Sequence, residues 1–182
     1  MNSPDLDSGL VTRRRFSVLL IEAGCAARTI SLLIRNRITQ PRENVGKRFV
    51  FGGGTSSRVY RETAIRDRRY DDLVLIVVRF RLRWIGVNPV WHALFRFESL
   101  FNTLFFAAHR GFQTKLWLTD RETGYYRGLY EWRGRDAASE YCETLRVVLR
   151  PWVEVGSFAY EVIEGVARSE YLDQRTVDTS IE

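Results

Sequence analysis

The 182-residue sequence predicts an α+β fold, with four strands and two helices in the order β-α-β-β-α-β over residues 71–164. Three observations predict it. Apolar residues alternate along four short runs, the period of a strand with two unlike faces. They recur at i, i+3 and i+4 along two longer runs, the period of a helix with one buried stripe. Turn chemistry, as Asn88-Pro89, Gly111, Gly124 and Pro151, falls where one run must give way to the next.

The first strand is DDLVLIVVRFRLRW (71–84), with Val78, Phe80, Leu82 and Trp84 on one face and Arg79, Arg81 and Arg83 on the other. Asn88-Pro89 opens the first helix: asparagine caps the orphan amides, and proline fits a first turn that needs no amide donor. The helix carries Leu94, Phe97, Phe101, Leu104, Phe105 and Ala108 as one apolar stripe and ends at Gly111. FQTKLWLT (112–119) is the second strand and YYRGLYEW (125–132) the third. DRETG joins them as a hairpin loop whose glycine takes the left-handed position. GRDAASEYCETLRVVLR is the second helix, with Ala138, Tyr141, Cys142, Leu145, Val148 and Leu149 on one face, and Pro151 stops it. GSFAYEVIE (156–164) is the last strand, with Phe158, Tyr160 and Val162 on one side.

This order is the ferredoxin-like split βαβ topology. Right-handed crossovers place both helices on one face of an antiparallel sheet. The other face, apolar and uncovered, is a poor surface to leave in water, so the expected assembly is a homodimer through sheet faces.

The flanks read differently. The formal charge of +6 is unevenly placed: residues 1–70 carry 14 Lys/Arg against 6 Asp/Glu, residues 71–164 carry 12 of each, and residues 165–182 carry 2 against 4. A contact with nucleic acid or an anionic membrane is therefore confined to residues 1–70. This basic N-terminal extension reads as partly helical or disordered. An amphipathic stretch spans 13–37, and a loop signal spans 41–58 around Gly52-Gly53-Gly54 and Ser56-Ser57. A charged short helix or linker follows, and residues 165–182 read as a disordered tail. Glu22 interrupts the apolar run of 13–37, which argues against a signal peptide. No apolar run is long enough for a transmembrane helix. Cys25 and Cys142 match no paired-cysteine pattern and read as free thiols in a cytoplasmic protein. With His92 and His109 as the only histidines, no metal cluster is expected.

GFQTKLWLTDRETGYYRGLYEWRGRDAASEY resembles the dimeric α+β barrel superfamily, and within it the monooxygenase-like proteins of the YdhR type. Gly111, Thr114, Lys115, Trp117 and Leu118 match that pattern's first part and Gly124 its turn. Gly128, Tyr130 and Trp132 match its second strand, and Asp136, Ala137 and Ala138 its helix start. Arg127 replaces the first glycine of the family's pair. The match covers residues 71–164. The resemblance implies a barrel of two sheets with a pocket between sheet and helices. It implies a range of activities, from cofactor-free oxidation of aromatic substrates to haem degradation, and members without a reaction.

Within that frame the expected site is on the central hairpin. Pairing Asp120 with Tyr125 sets Lys115 opposite Tyr130, Trp117 opposite Gly128 and Thr119 opposite Tyr126 on one face, with Leu116 and Leu129 on the other. A one-residue slip would put Lys115 opposite Leu129. Gly128 would leave room for the Trp117 indole. Lys115 and His92 are the candidate catalytic residues: a buried lysine steers an anionic or phenolate-like substrate, and a histidine at a helix N-terminus stays neutral and basic. Trp91, Trp117, Tyr130, Trp132 and Tyr160 are the candidate walls for a small apolar or aromatic molecule. Each also has a bland reading, as core, interface or edge. Glu98 is either solvated or a pocket base. No cofactor and no metal are expected. The functional expectation is cofactor-independent oxidation of a flat apolar or phenolic substrate; the alternative is a non-catalytic ligand-binding or structural barrel.

Overall fold

A computed structural model describes residues 37–66, 70–83, 106, 109 and 111–175. Seven strands form one antiparallel sheet: β1 (Ile38–Thr39), β2 (Arg48–Phe51), β3 (Thr55–Ile65), β4 (Leu73–Arg81), β5 (Phe112–Thr119), β6 (Tyr125–Arg133) and β7 (Ala159–Glu164). Helix α1 spans Arg135–Leu149 and a short α2 spans Arg168–Asp173. The strand order is β1-β3-β5-β6-β4-β7, and β2 also pairs with β3. The run β5-β6-β4-β7 is the ferredoxin-like order, so the fold is α+β and ferredoxin-like. The expected first helix, and with it Trp91, His92 and Glu98, lies outside the described residues apart from Phe106 and His109.

The hairpin has the expected register: Lys115 faces Tyr130, Trp117 faces Gly128, Leu116 faces Leu129 and Thr119 faces Tyr126. Its loop explains why. Asp120 N–H donates to Tyr125 O at 2.8 Å, and the Asp120 carboxylate accepts from the amides of Glu122 and Thr123 at 3.0 and 3.2 Å. Gly124 takes φ 72°, which any side chain would resist. With the turn closed this way, a slip would swap every side chain to the wrong face.

The sheet has two apolar faces. On one, Val74, Ile76, Val78, Phe112, Trp117, Tyr126, Tyr130 and Trp132 pack against Ala138, Tyr141, Cys142, Leu145 and Leu149 of α1. On the other, Leu75, Leu116, Leu118 and Leu129 pack with Phe49 and Phe51 of β2, Val59 of β3 and Leu172 of α2.

That second face corrects three expectations. Residues 41–66 are not loop and linker, and a domain boundary at 71 cuts through the sheet. Gly52–Gly54 form a single 3-10 turn that joins β2 to β3, and β3 runs eleven residues along β5. Its charges hide an alternating strand, because Arg61 and Glu62 are buried against partners far away in sequence. Residues 165–175 are not a disordered tail. They include α2, which docks through Leu172 and through Arg168, whose guanidinium donates to Glu62 Oε1 at 2.7 Å and Thr114 Oγ1 at 2.8 Å. Finally, Leu75, Leu116, Leu118 and Leu129 are buried within the single chain. Segments β2 and α2 cover what a second copy was expected to cover, so sheet-face dimerisation is not needed to keep these leucines from water.

Candidate functional site

Alternation along β5 puts Lys115 and Trp117 on the helix-facing side. The strands on either side add Arg61 and Thr63 from β3 and Gly128 and Tyr130 from β6. Lys115 is 3 % exposed. Its Nζ lies 3.1 Å from the Trp117 ring centroid, 4.5 Å from that of Tyr130 and 4.6 Å from that of Phe106. The negative faces of aromatic rings attract a cation, but they do not replace a carboxylate. No ion pair among the described residues includes Lys115. Burial, and next the Arg61 charge, hold its pKa well below the ordinary lysine value.

Trp117 is held from both sides. Its indole N–H donates to Thr63 Oγ1 at 3.2 Å, and the Arg61 guanidinium lies 4.1 Å from its ring centroid. Burial lowers the Arg61 pKa too. The face therefore gathers two desolvated cations around one indole.

Tyr130 reaches the helix, where its ring meets that of Tyr141 edge-on with centroids 5.6 Å apart. Burial raises the pKa of both phenols, so they stay protonated. The glycine opposite Trp117 serves a different ring from the one expected. A Cβ on Gly128 would lie 2.6 Å from Cε2 of Tyr130, so the missing side chain makes room for the tyrosine two residues along the same strand and not for the indole. Gly111 plays the same part for Trp132, whose Nε1 would be 2.3 Å from a Cβ there.

Lys115, Trp117, Gly128 and Tyr130 line a cavity of about 20 Å³, with Tyr60, Phe80 and Tyr126 among its other walls. The remaining candidates are not brought to it. Trp132 stacks on Tyr141 with centroids 4.3 Å apart and does not line the cavity. Tyr160 donates its hydroxyl to Glu143 Oε1 on α1 at 2.7 Å; it faces the helix flank, three strands from Trp117. His109 packs against Trp132 and Tyr141, and burial lowers its pKa. Sequence reasoning missed Arg61, Thr63 and Tyr141. The alternation Arg61, Thr63, Ile65 was the available signal for the first two, hidden by the surrounding charge.

Among the described residues, no group of three or more His, Cys, Asp or Glu side chains could hold a metal ion. No helix among them is long and apolar enough to cross a membrane.

No family model matches the chain, and no curated protein matches it. Three solved structures are similar in part. One is an uncharacterised ferredoxin-fold protein from Listeria monocytogenes related to antibiotic biosynthesis monooxygenases; it is 14% identical with a TM-score of 0.43, over 65% of this chain and 69% of that one. The second is a monooxygenase-like protein from Listeria innocua, 15% identical with a TM-score of 0.39, over 63% and 66%. The third is a heme-degrading enzyme from Listeria monocytogenes, 13% identical with a TM-score of 0.44, over 70% and 96%. None reaches a TM-score of 0.5, and the ferredoxin-like assignment stands on the strand order and register described above.

Proposed function

We propose that the protein binds a flat aromatic molecule carrying a phenolate or similar oxyanion against Lys115, and oxidises it with molecular oxygen and no cofactor. One observation carries this reading: a buried lysine with rings around it and, among the described residues, no carboxylate paired with it. A cation in that position is costly without a counter-charge, and an oxyanion on an aromatic ligand supplies one. A phenolate held there is electron-rich and shielded from water. In the oxidation, an activated methylene and O2 become a carbonyl and water, with the substrate giving up every electron. Lys115 stabilises the substrate anion, and Trp117 and Tyr130 are the ring-binding walls. The likeness of residues 111–138 to monooxygenase-like barrel proteins supports the reaction class. Trp91 and His92, which lie outside the described residues, belong to the same proposal as an apolar wall and a neutral base.

A second reading is favoured by the small cavity. About 20 Å³ beside Lys115 has room for roughly one water, so a ligand must displace the rings. If the rings stay closed, the chain is a non-catalytic barrel. Oxygen uptake separates the two. Purified protein is incubated with a panel of hydroquinones and anthrone-like phenols beside Lys115→Met. The proposal expects uptake above background that the variant loses. Quenching of tryptophan fluorescence by the same compounds without uptake identifies a binding protein; neither signal overturns the proposal.

A further inference from the structure

At the hairpin end of the sheet, a concave groove of about 310 Å³ opens between β2, β3 and the β5–β6 loop. Arg48, Arg58 and Arg121 line it together with Tyr60, Asp120 and Glu122. Its volume is that of a small-ligand site. Arg48 and Arg58 are direct cross-strand partners. Their side chains share one face, and like charges directly opposite each other destabilise a sheet. Among the described residues, neither arginine, nor Arg121, belongs to an ion pair.

One of the two exposed arginines, Arg58, is also held in place. Arg58 Nε donates to the carbonyl of Gly46 at 3.2 Å. That carbonyl reaches the guanidinium because Gly46 turns with φ 96°, a conformation side chains avoid. Arg58 lines the groove with its Nε occupied in this way. The carboxylates beside the arginine pair do not neutralise it. Asp120 is 4 % exposed and its Oδ1 is taken by the amides of Glu122 and Thr123, while Glu122 lies in the exposed turn. Tyr60 supplies a ring as the apolar wall.

We propose that this groove binds a small phosphate- or pyrophosphate-bearing molecule. Arg48 and Arg58 grip the oxyanion and Arg121 closes on it from the hairpin loop. Planar guanidinium forks match phosphate oxygens pairwise, and the anion removes the repulsion between the two strands. The proposal is independent of the reading of Lys115, which lies at the other cavity; Tyr60 lines both.

Titration calorimetry of the full chain with sodium pyrophosphate at low ionic strength tests this. Binding is expected, together with a rise in Tm. The double variant Arg48→Gln/Arg58→Gln should weaken binding about tenfold or more and lose the Tm rise. Arg133→Gln/Arg135→Gln removes the same charge at another surface and should leave both unchanged. No binding by the wild type, or equal weakening in both double variants, overturns the proposal. A single-stranded oligonucleotide is the third arm. If it binds more tightly than pyrophosphate and depends on Arg48 and Arg58, the groove is a nucleic-acid contact and the small-molecule site is refuted.

Discussion

Replacing Arg168 by alanine tests whether the C-terminal segment belongs to the fold. The Arg168 and Glu62 side chains are 13 % and 4 % exposed, and they meet at 2.7 Å. Glu62 Oε2 accepts a second bond from Asn44 at 2.9 Å, and Arg168 also holds Thr114, whose hydroxyl donates to Glu131 at 2.6 Å. Removing the arginine leaves a buried carboxylate with one neutral donor. Breaking a buried pair from one side costs about 3–5 kcal/mol. Asn44 stays in place, so the low end, about 3 kcal/mol, is the expected loss. The loss is mostly the stranded charge, so the double variant Arg168→Ala/Glu62→Gln should recover roughly 1–2 kcal/mol of it. Urea denaturation gives both numbers. A single variant within about 0.5 kcal/mol of the wild type, the range of an ordinary surface change, would refute the docking of α2. A double variant no better than the single one would refute the assignment of the loss to Glu62.

Two further predictions concern the hairpin. Gly128→Ala puts a Cβ 2.6 Å from a Tyr130 ring carbon; the gain from a stiffer unfolded chain is about 0.4–1 kcal/mol and overpacking costs about 1–3 kcal/mol, so thermal unfolding should show net destabilisation and weaker binding of any Lys115 ligand. Lys115 has its pKa depressed by burial, so between its folded value and the unfolded lysine value the unfolded chain binds more protons and stability rises with pH. The penalty is fully present below the folded pKa, and Lys115→Met should remove it; urea denaturation across neutral to alkaline pH should show a flatter profile and a gain at neutral pH for the variant, and parallel profiles would count against a depressed lysine.

How much of this was legible in the sequence depends on where each residue finds its partners. Strand β5 was legible to the residue and β6 to within one residue at its end, because a short loop, one glycine and alternating side chains determine the register locally. Helix α1 was legible through Ala138, Tyr141, Cys142, Leu145 and Leu149, all of which are buried. Strand β3 was not. Arg61 and Glu62 look like surface charge in a window of ten residues, and they are buried because Trp117 lies under one and Arg168, 106 positions away, pairs with the other. The same distance hid α2, whose polar sequence gains its order from Glu62 and Leu172 contacts. Gly128 shows a finer limit. Strand periodicity correctly indicated that a ring would use its empty space, but not whether that ring would come from across the strand or from two residues along.

The hairpin contains its own control for the meaning of a buried cation. Arg127 and Lys115 lie on opposite faces of the same two strands, and both are nearly excluded from solvent. Arg127 is accounted for: its guanidinium donates to Ser57 Oγ and, at 2.7 Å, to Thr55 Oγ1, and it stacks 4.7 Å from the Phe51 centroid. Burial lowers its pKa, but the Asp120 charge acts in the opposite direction. Lys115 has rings and a second cation, and nothing among the described residues that opposes the shift. A merely structural lysine would be expected to resemble Arg127, because a core tolerates a charge when hydrogen bonds satisfy it. The contrast between the two faces, more than the burial of Lys115 alone, is what the proposed ligand site on the helix-facing side rests on.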